Sequence, residues 1–167
     1  MGSEDELKEL LNKLLAEILS KSSQGSETSY EVNPASQNGI YVLNEGHWKL
    51  YRTDGLPLHP GEQGDGIYVL YFDNTKCGAC RRFDKEWFPF AAENAGKAKF
   101  FIVLCEWFAR NCASKAASLT FTLHEVRASP TTIFFKVING EIAKQERFEG
   151  VVSKQKLEEA LSKMTLS

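Results

Sequence analysis

Long apolar runs are missing from this sequence. No stretch of its 167 residues approaches the roughly 20 apolar residues that a bilayer-spanning helix requires, so no membrane span is expected. An excess of one charge is missing too. The 20 Lys and Arg stand against 22 Asp and Glu, a net charge of −2, and leave no basic footprint for nucleic acid. Histidine is scarce: His47, His59 and His124 are scattered, with no ligand-spaced pair among them. No metal site is expected from them. Phosphate-binding glycine loops are absent, both the Walker type and the dinucleotide fingerprint, so no nucleotide cofactor is expected. Residues 4–21 are highly charged where a secretory signal needs an apolar core, and Glu6 stands where an N-myristoylation signal carries Ser or Thr. The expected compartment is therefore cytoplasmic.

What is present suits a folded domain. Hydrophobic residues make up 43% and charged residues 25%, close to globular averages. The length supports one domain with a real core, plus additional sequence. Residues 1–22 read as an amphipathic helix, because Leu7, Leu10, Leu11, Leu14, Leu15, Ile18 and Leu19 recur at helical spacing. Ser3 and Glu6 fit a capping box at its start. The stripe suits docking on the chain's own core or a homodimer contact. Residues 23–65 read as a linker followed by a β-hairpin extension: 22–29 is Ser-rich, and strands 40–43 and 48–52 flank Asn44-Glu45-Gly46.

The pattern changes in residues 66–167. Strands are expected at 67–72, 100–105, 131–138 and 141–148, the last two joined at Asn139-Gly140. Helices are expected at 80–95, where Pro89 lies inside and Gly96 can cap the end, at 111–126 and at 153–164. A strand–helix–strand unit implies a parallel pair with a right-handed crossover.

Four cysteines remain: Cys77, Cys80, Cys105 and Cys112. Cys77-Gly78-Ala79-Cys80 falls where a strand gives way to a helix. There the unpaired backbone N–H groups and the helix dipole favour a negative sulfur, and thiolate is the reactive form. Lys76, Arg81 and Arg82 act in the same sense. The three-residue step puts both sulfurs on one side of the first turn, at a separation suited to a disulfide. Cys77 reads as the more exposed, attacking thiol. Cys80 shares the apolar face with Phe83 and Trp87 and reads as the resolving thiol. A CxxC alone also fits half of a zinc site or an inert pair. A structural zinc site usually wants a second close pair, whereas six residues separate Cys105 from Cys112. Cys105 ends one strand and Cys112 is expected to begin the next helix, on the sheet edge that carries the CxxC. Three readings stay open for this pair: a structural disulfide, two free buried thiols, or a second redox relay.

Residues 66–164 resemble the thioredoxin family. The resemblance rests on the strand, the CxxC, the helix containing Pro89, Ser129-Pro130-Thr131 running into Thr132-Ile133-Phe134-Phe135, and Asn139-Gly140-Glu141. It implies an α/β thioredoxin fold, a central mixed β-sheet flanked by helices, here with an N-terminal helix and hairpin added. It implies a cis peptide before Pro130, with Ser129 and Pro130 binding substrate beside the cysteines. It also implies a thiol–disulfide oxidoreductase with protein substrates and a thioredoxin-reductase-like electron donor. This sequence departs from the family pattern at four places. Lys76 replaces the usual Trp, Gly78-Ala79 replaces Gly-Pro, Tyr71 replaces a buried Asp, and Ser129 replaces an apolar residue. A thioredoxin-fold binding module and a metal carrier are the alternative functions.

Overall fold

A computed structural model describes residues 2–24 and 30–166 in two units, Met1–Tyr30 and Glu31–Ser167. The first unit contains helix α1 (Gly2–Gln24), with Glu4 and Asp5 in its first turn, where the dipole favours acidic groups. Because α1 starts at Gly2, Ser3 lies inside the first turn and is not the cap that a Ser3–Glu6 box needs. The side chains of Ile18 and Leu19, and residues 25–29 of the expected linker, lie outside the described residues. Among the described residues, no helix is long and apolar enough to cross a membrane.

The second unit holds β1 (Gly39–Asn44), β2 (His47–Arg52), β3 (Gly66–Asn74), α2 (Gly78–Glu93), β4 (Lys99–Cys105), α3 (Lys115–Leu123), β5 (Thr131–Ile138), β6 (Glu141–Glu149) and α4 (Lys154–Thr165). The strands form one six-stranded sheet in the order β2-β1-β4-β3-β5-β6. β3 and β4 are parallel, as the strand–helix–strand pattern requires, and the other neighbours are antiparallel. The hairpin β1–β2 belongs to this same sheet, since β1 pairs along β4 from Gly39↔Leu104 to Val42↔Phe101.

Both hairpin turns follow local chemistry. Glu45 and Gly46 have φ of 54° and 80°, and Asn139 and Gly140 have 54° and 78°. Two successive positive φ angles give the turn that matches strand twist. Asp65 fastens the second turn by accepting from Asn139 N (2.6 Å) and Gly140 N (2.9 Å).

β3 is central, and every residue of it after Gly66 is buried. Strand alternation sends its side chains into two cores. Tyr68, Leu70 and Phe72 join Phe101, Val103, Ile133 and Phe135 on the side of Phe121 from α3. On the opposite side Tyr71 meets Phe83 (4.9 Å between ring centroids) and Trp87 (5.2 Å) of α2. Phe90 there meets Phe100 and Phe134. α4 buries Leu157, Ala160, Leu161 and Met164 and packs near α2 and β5. The two helix layers thus leave the C-terminal ends of β3 and β4 together at one sheet edge.

Two expected helix bounds shift. α2 ends on Asn94, whose N–H bonds Ala91 O, so Gly96 is not the cap. α3 is much shorter than 111–126. Ser114 caps it by accepting from Ala117 N, and Glu125, at φ 51°, lies beyond its end. Cys112 therefore sits in the loop before α3 and does not open the helix.

Candidate active site

β3 runs two residues past the apolar run 67–72, and these two, Asp73 and Asn74, are both buried. The chain then turns across the end of β4. Thr75 N donates to Cys105 O (2.9 Å), Lys76 N to Glu106 O (3.3 Å), and Cys77 N to Asn74 O (3.2 Å). Cys77 caps α2 with extended φ and ψ of −102° and 110°, and its sulfur accepts from Cys80 N at 3.0 Å. The sulfur occupies the place where a capping oxygen satisfies an orphan helix N–H.

Cys77 and Cys80 carry free thiols and both are buried, Cys77 at 6% exposure and Cys80 at 0%. Cys77 is thus only slightly more open than its partner. The larger difference between them is electrostatic. The Cys77 thiol is pushed down to about 6. Hydrogen bonding with the Cys80 thiol is the main cause, burial opposes it, and Ser129, the Cys80 N–H and Arg81 assist. The Cys80 thiol is pushed up, by burial first and then by Cys77 and Asp73.

A charged cluster lies against Cys80 on the α2 side. Arg81 pairs with Asp73 (Nη2–Oδ1, 2.6 Å) and with Asp84 (Nε–Oδ2, 3.0 Å). The Tyr71 hydroxyl donates to Asp84 Oδ1 at 2.8 Å and lies 3.2 Å from Cys80 O. Tyr71 thus occupies the buried site beneath the dithiol, while Asp73 brings a carboxyl in from two residues further along β3. Burial, followed by the charge of Asp84, raises Asp73 to about 8; Arg81 and the Cys80 thiol act in the opposite sense. Asp73 Oδ2 is buried without a hydrogen-bond partner. Asp84 is raised to about 6, again chiefly by burial.

The opposite wall comes from the segment before β5. The Ser129–Pro130 peptide is cis. Ser129 Oγ lies 3.0 Å from Cys80 Sγ, and Ser129 O lies 3.5 Å from Cys77 Sγ. Ser129 therefore touches both sulfurs. Asn74 Nδ2 donates to Ser129 Oγ at 2.9 Å.

Cys105 and Cys112 are joined by a disulfide, with Cα atoms 4.6 Å apart. Of the three open readings, this geometry is that of the bonded pair. It closes a loop in which Glu106 N and Trp107 N both donate to Asn111 O (3.1 and 3.0 Å). Phe108 has φ 58°, and its N–H donates to Asn74 Oδ1 at 2.8 Å. Glu106 pairs with Lys76 at 3.4 Å, and Trp107 stays 41% exposed beside that pair. Register explains the proximity: Asn74 lies opposite Cys105 in the parallel β3–β4 pair.

The fold unites Cys77, Cys80 and Ser129 within hydrogen-bond reach and sets the Cys105–Cys112 loop against Asn74 and Lys76. Pro130 follows Ser129 as the first residue before β5. The Asp73–Arg81–Asp84 cluster is what residue-type reasoning missed. One signal was available: Asp84 follows Cys80 by four residues and so shares its buried helix face. The histidines take no part. His47 pairs with Glu31, and His124 is half-buried against Phe72 and Phe135, with its basicity lowered to about 4 chiefly by desolvation. Among the described residues, no group of three or more His, Cys, Asp or Glu could hold a metal ion.

No protein-family model and no curated protein matches the chain. Solved structures do. The thioredoxin of Aeropyrum pernix is 20% identical, with a TM-score of 0.53, over 77% of this chain and 97% of that one. The thioredoxin of Trichomonas vaginalis is 18% identical, with a TM-score of 0.50, over 68% and 97%. The Trx4 domain of ERdj5 is 19% identical, with a TM-score of 0.50, over 70% and 100%. A mixed sheet between helix layers, with a CxxC at a helix N-terminus, defines an α/β protein carrying a buried dithiol. The chain has the thioredoxin fold.

Proposed function

We propose that this protein is a thiol–disulfide oxidoreductase that exchanges disulfides with polypeptide substrates through Cys77 and Cys80. The observation that carries this reading is the placement of two free thiols at one helix N-terminus, where the Cys77 sulfur accepts the Cys80 N–H at 3.0 Å and Cys80 lies fully buried one turn further in. Cys77 is held toward thiolate and Cys80 toward thiol. An inert pair needs no such division. Exchange does, because one sulfur must attack first while the other waits.

In the reducing direction, the Cys77 thiolate attacks one sulfur of a substrate disulfide. A Cys77–substrate S–S bond forms, the substrate S–S bond breaks, and the departing sulfur leaves as thiolate and takes a proton. Cys80 then gives up its proton. The Asp73 carboxylate, ionising near pH 8 beside that thiol, is the group placed to receive it. The Cys80 thiolate attacks Cys77 Sγ, the Cys77–Cys80 disulfide forms, and the second substrate sulfur is released. Two electrons pass from the dithiol to the substrate disulfide. The reverse sequence oxidises a dithiol, and relative potentials set the net direction.

The test is the reduction of insulin by dithiothreitol. Wild-type protein accelerates precipitation of the insulin B chain, and Cys77→Ser returns it to the rate of dithiothreitol alone. A Cys77→Ser protein that keeps the wild-type rate, or a wild type no faster than dithiothreitol, removes the reading.

A further inference from the structure

Asn74 and Ser129 form a directed hydrogen-bond chain that ends on the buried sulfur. Its direction follows from donor chemistry. The Phe108 N–H can only donate, so the Asn74 atom it meets at 2.8 Å is the carbonyl Oδ1. The other end of the amide, Nδ2, must then donate to Ser129 Oγ at 2.9 Å. With that lone pair taken, the single hydroxyl proton of Ser129 is free to turn toward Cys80 Sγ, 3.0 Å away. While Cys80 is a thiol, either atom of this contact can be the donor. Once Cys80 is a thiolate it can only accept, and the hydroxyl must donate.

We infer that Ser129 is a catalytic residue of the resolving step, donating a hydrogen bond to the Cys80 sulfur as its negative charge develops, and that Asn74 is the positioning residue that aims it. The inference deepens the proposed dithiol exchange and rests on it. Charge builds on a sulfur with 0% exposure, so water cannot solvate it, and a fixed donor is worth more there than in solvent. The donor costs little reorganisation because both neighbours of Asn74 hold it. β3 fixes its backbone opposite Cys105, and Phe108, in the loop closed by Cys105–Cys112, fixes its amide. The Cys105–Cys112 disulfide thus acquires a role at the site without exchanging electrons: it holds the loop that orients Asn74.

The first exchange step forms the Cys77–substrate bond and needs no charge on Cys80. The second needs that charge. Ser129 and Asn74 should therefore act mainly on the second, and an aromatic disulfide separates the two. Protein reduced at Cys77 and Cys80 and mixed with 5,5′-dithiobis(2-nitrobenzoate) releases one coloured thiolate when Cys77 attacks. It releases a second when Cys80 displaces the group left on Cys77. In stopped flow, Ser129→Ala shows both phases and slows the first less than the second, since Ser129 is only a minor support of the Cys77 thiolate. It slows the second phase by about tenfold or more, as expected for losing a hydrogen bond to a charged group. The pH at which the second phase reaches half its maximum rises. Ser129→Thr, which keeps the hydroxyl, restores most of the rate.

Asn74→Ala slows the same phase and raises the same midpoint, and in the Ser129→Ala background it adds nothing further, because it acts through the missing hydroxyl. A second phase unchanged in rate and pH midpoint by Ser129→Ala overturns the inference. So does full additivity of the two substitutions, which marks a general structural effect of Asn74. Failure of the underlying exchange reading looks different, since wild-type protein itself then lacks the second release.

Discussion

Cys77 and Cys80 are chemically identical side chains three residues apart, yet the protein gives them opposite tendencies. The cause is position on a helix end. Cys77 precedes the first turn and receives an N–H, a thiol and the reach of Arg81, while Cys80 is one turn further in and fully buried, with Ser129 Oγ at its sulfur and the Tyr71 hydroxyl at its carbonyl oxygen. This predicts a pH-dependent reactivity that needs no substrate. A lowered thiol pKa means that thiolate persists as pH falls, down to about 6, where an unperturbed cysteine at about 8.5 is already protonated. Alkylation of the reduced protein by iodoacetamide, followed by mass spectrometry, should therefore label Cys77 with a half-maximal rate near pH 6. Cys80 should stay unlabelled through the same range. The place of Cys77 at the helix start and of Cys80 on the buried apolar face was legible in the sequence. The cluster beside them was not. The apolar run ends at Phe72 and says nothing of where Asp73 points; the two extra residues of β3 carry it into the buried sheet edge.

Elements rather than single residues decide where the loop between β4 and α3 goes. Helical periodicity alone extends α3 back to Asn111. Three competing interactions prevent this: Asn111 pairs back to Glu106 and Trp107, Phe108 takes a positive φ, and the disulfide ties Cys112 to the end of β4. Ser114 then supplies the cap, and its hydroxyl also donates to Thr53 O at 2.7 Å. The fold-back of 106–111 was not readable in the sequence, because it depends on contacts with Asn74 and Lys76 thirty or more residues earlier. Replacing both Cys105 and Cys112 by Ala should lower unfolding stability by about 2–3 kcal/mol, the chain-entropy value for so short a loop. Urea denaturation with the active-site pair reduced measures this, and an unchanged midpoint would show that the loop holds itself without the bond.

At the scale of the whole molecule, strand order places the chemistry. Parallel β3 and β4 bring their C-terminal ends, and hence both cysteine pairs, to one edge of the sheet. Antiparallel β5 begins at that same edge, so its preceding residues, Ser129 and Pro130, face the dithiol. The alternation of strands and helices, both hairpin turns and the parallel pair could be read from hydrophobic periodicity and turn residues. The pairing of β1 with β4 could not. It is a register between distant strands that local pattern does not encode, and it makes the hairpin an edge of the main sheet. The three-segment site, residues 71–84, 104–112 and 128–130, exists only once that sheet is assembled.

The central claim is that Cys77 attacks polypeptide disulfides and Cys80 releases them, and trapping tests it most directly. Cys80→Ser protein, reduced and incubated with an oxidised protein substrate, should accumulate a one-to-one mixed disulfide that dithiothreitol dissolves. Peptide mapping should place it on Cys77. Absence of the adduct, or an adduct carried by Cys105 or Cys112 instead, contradicts the account.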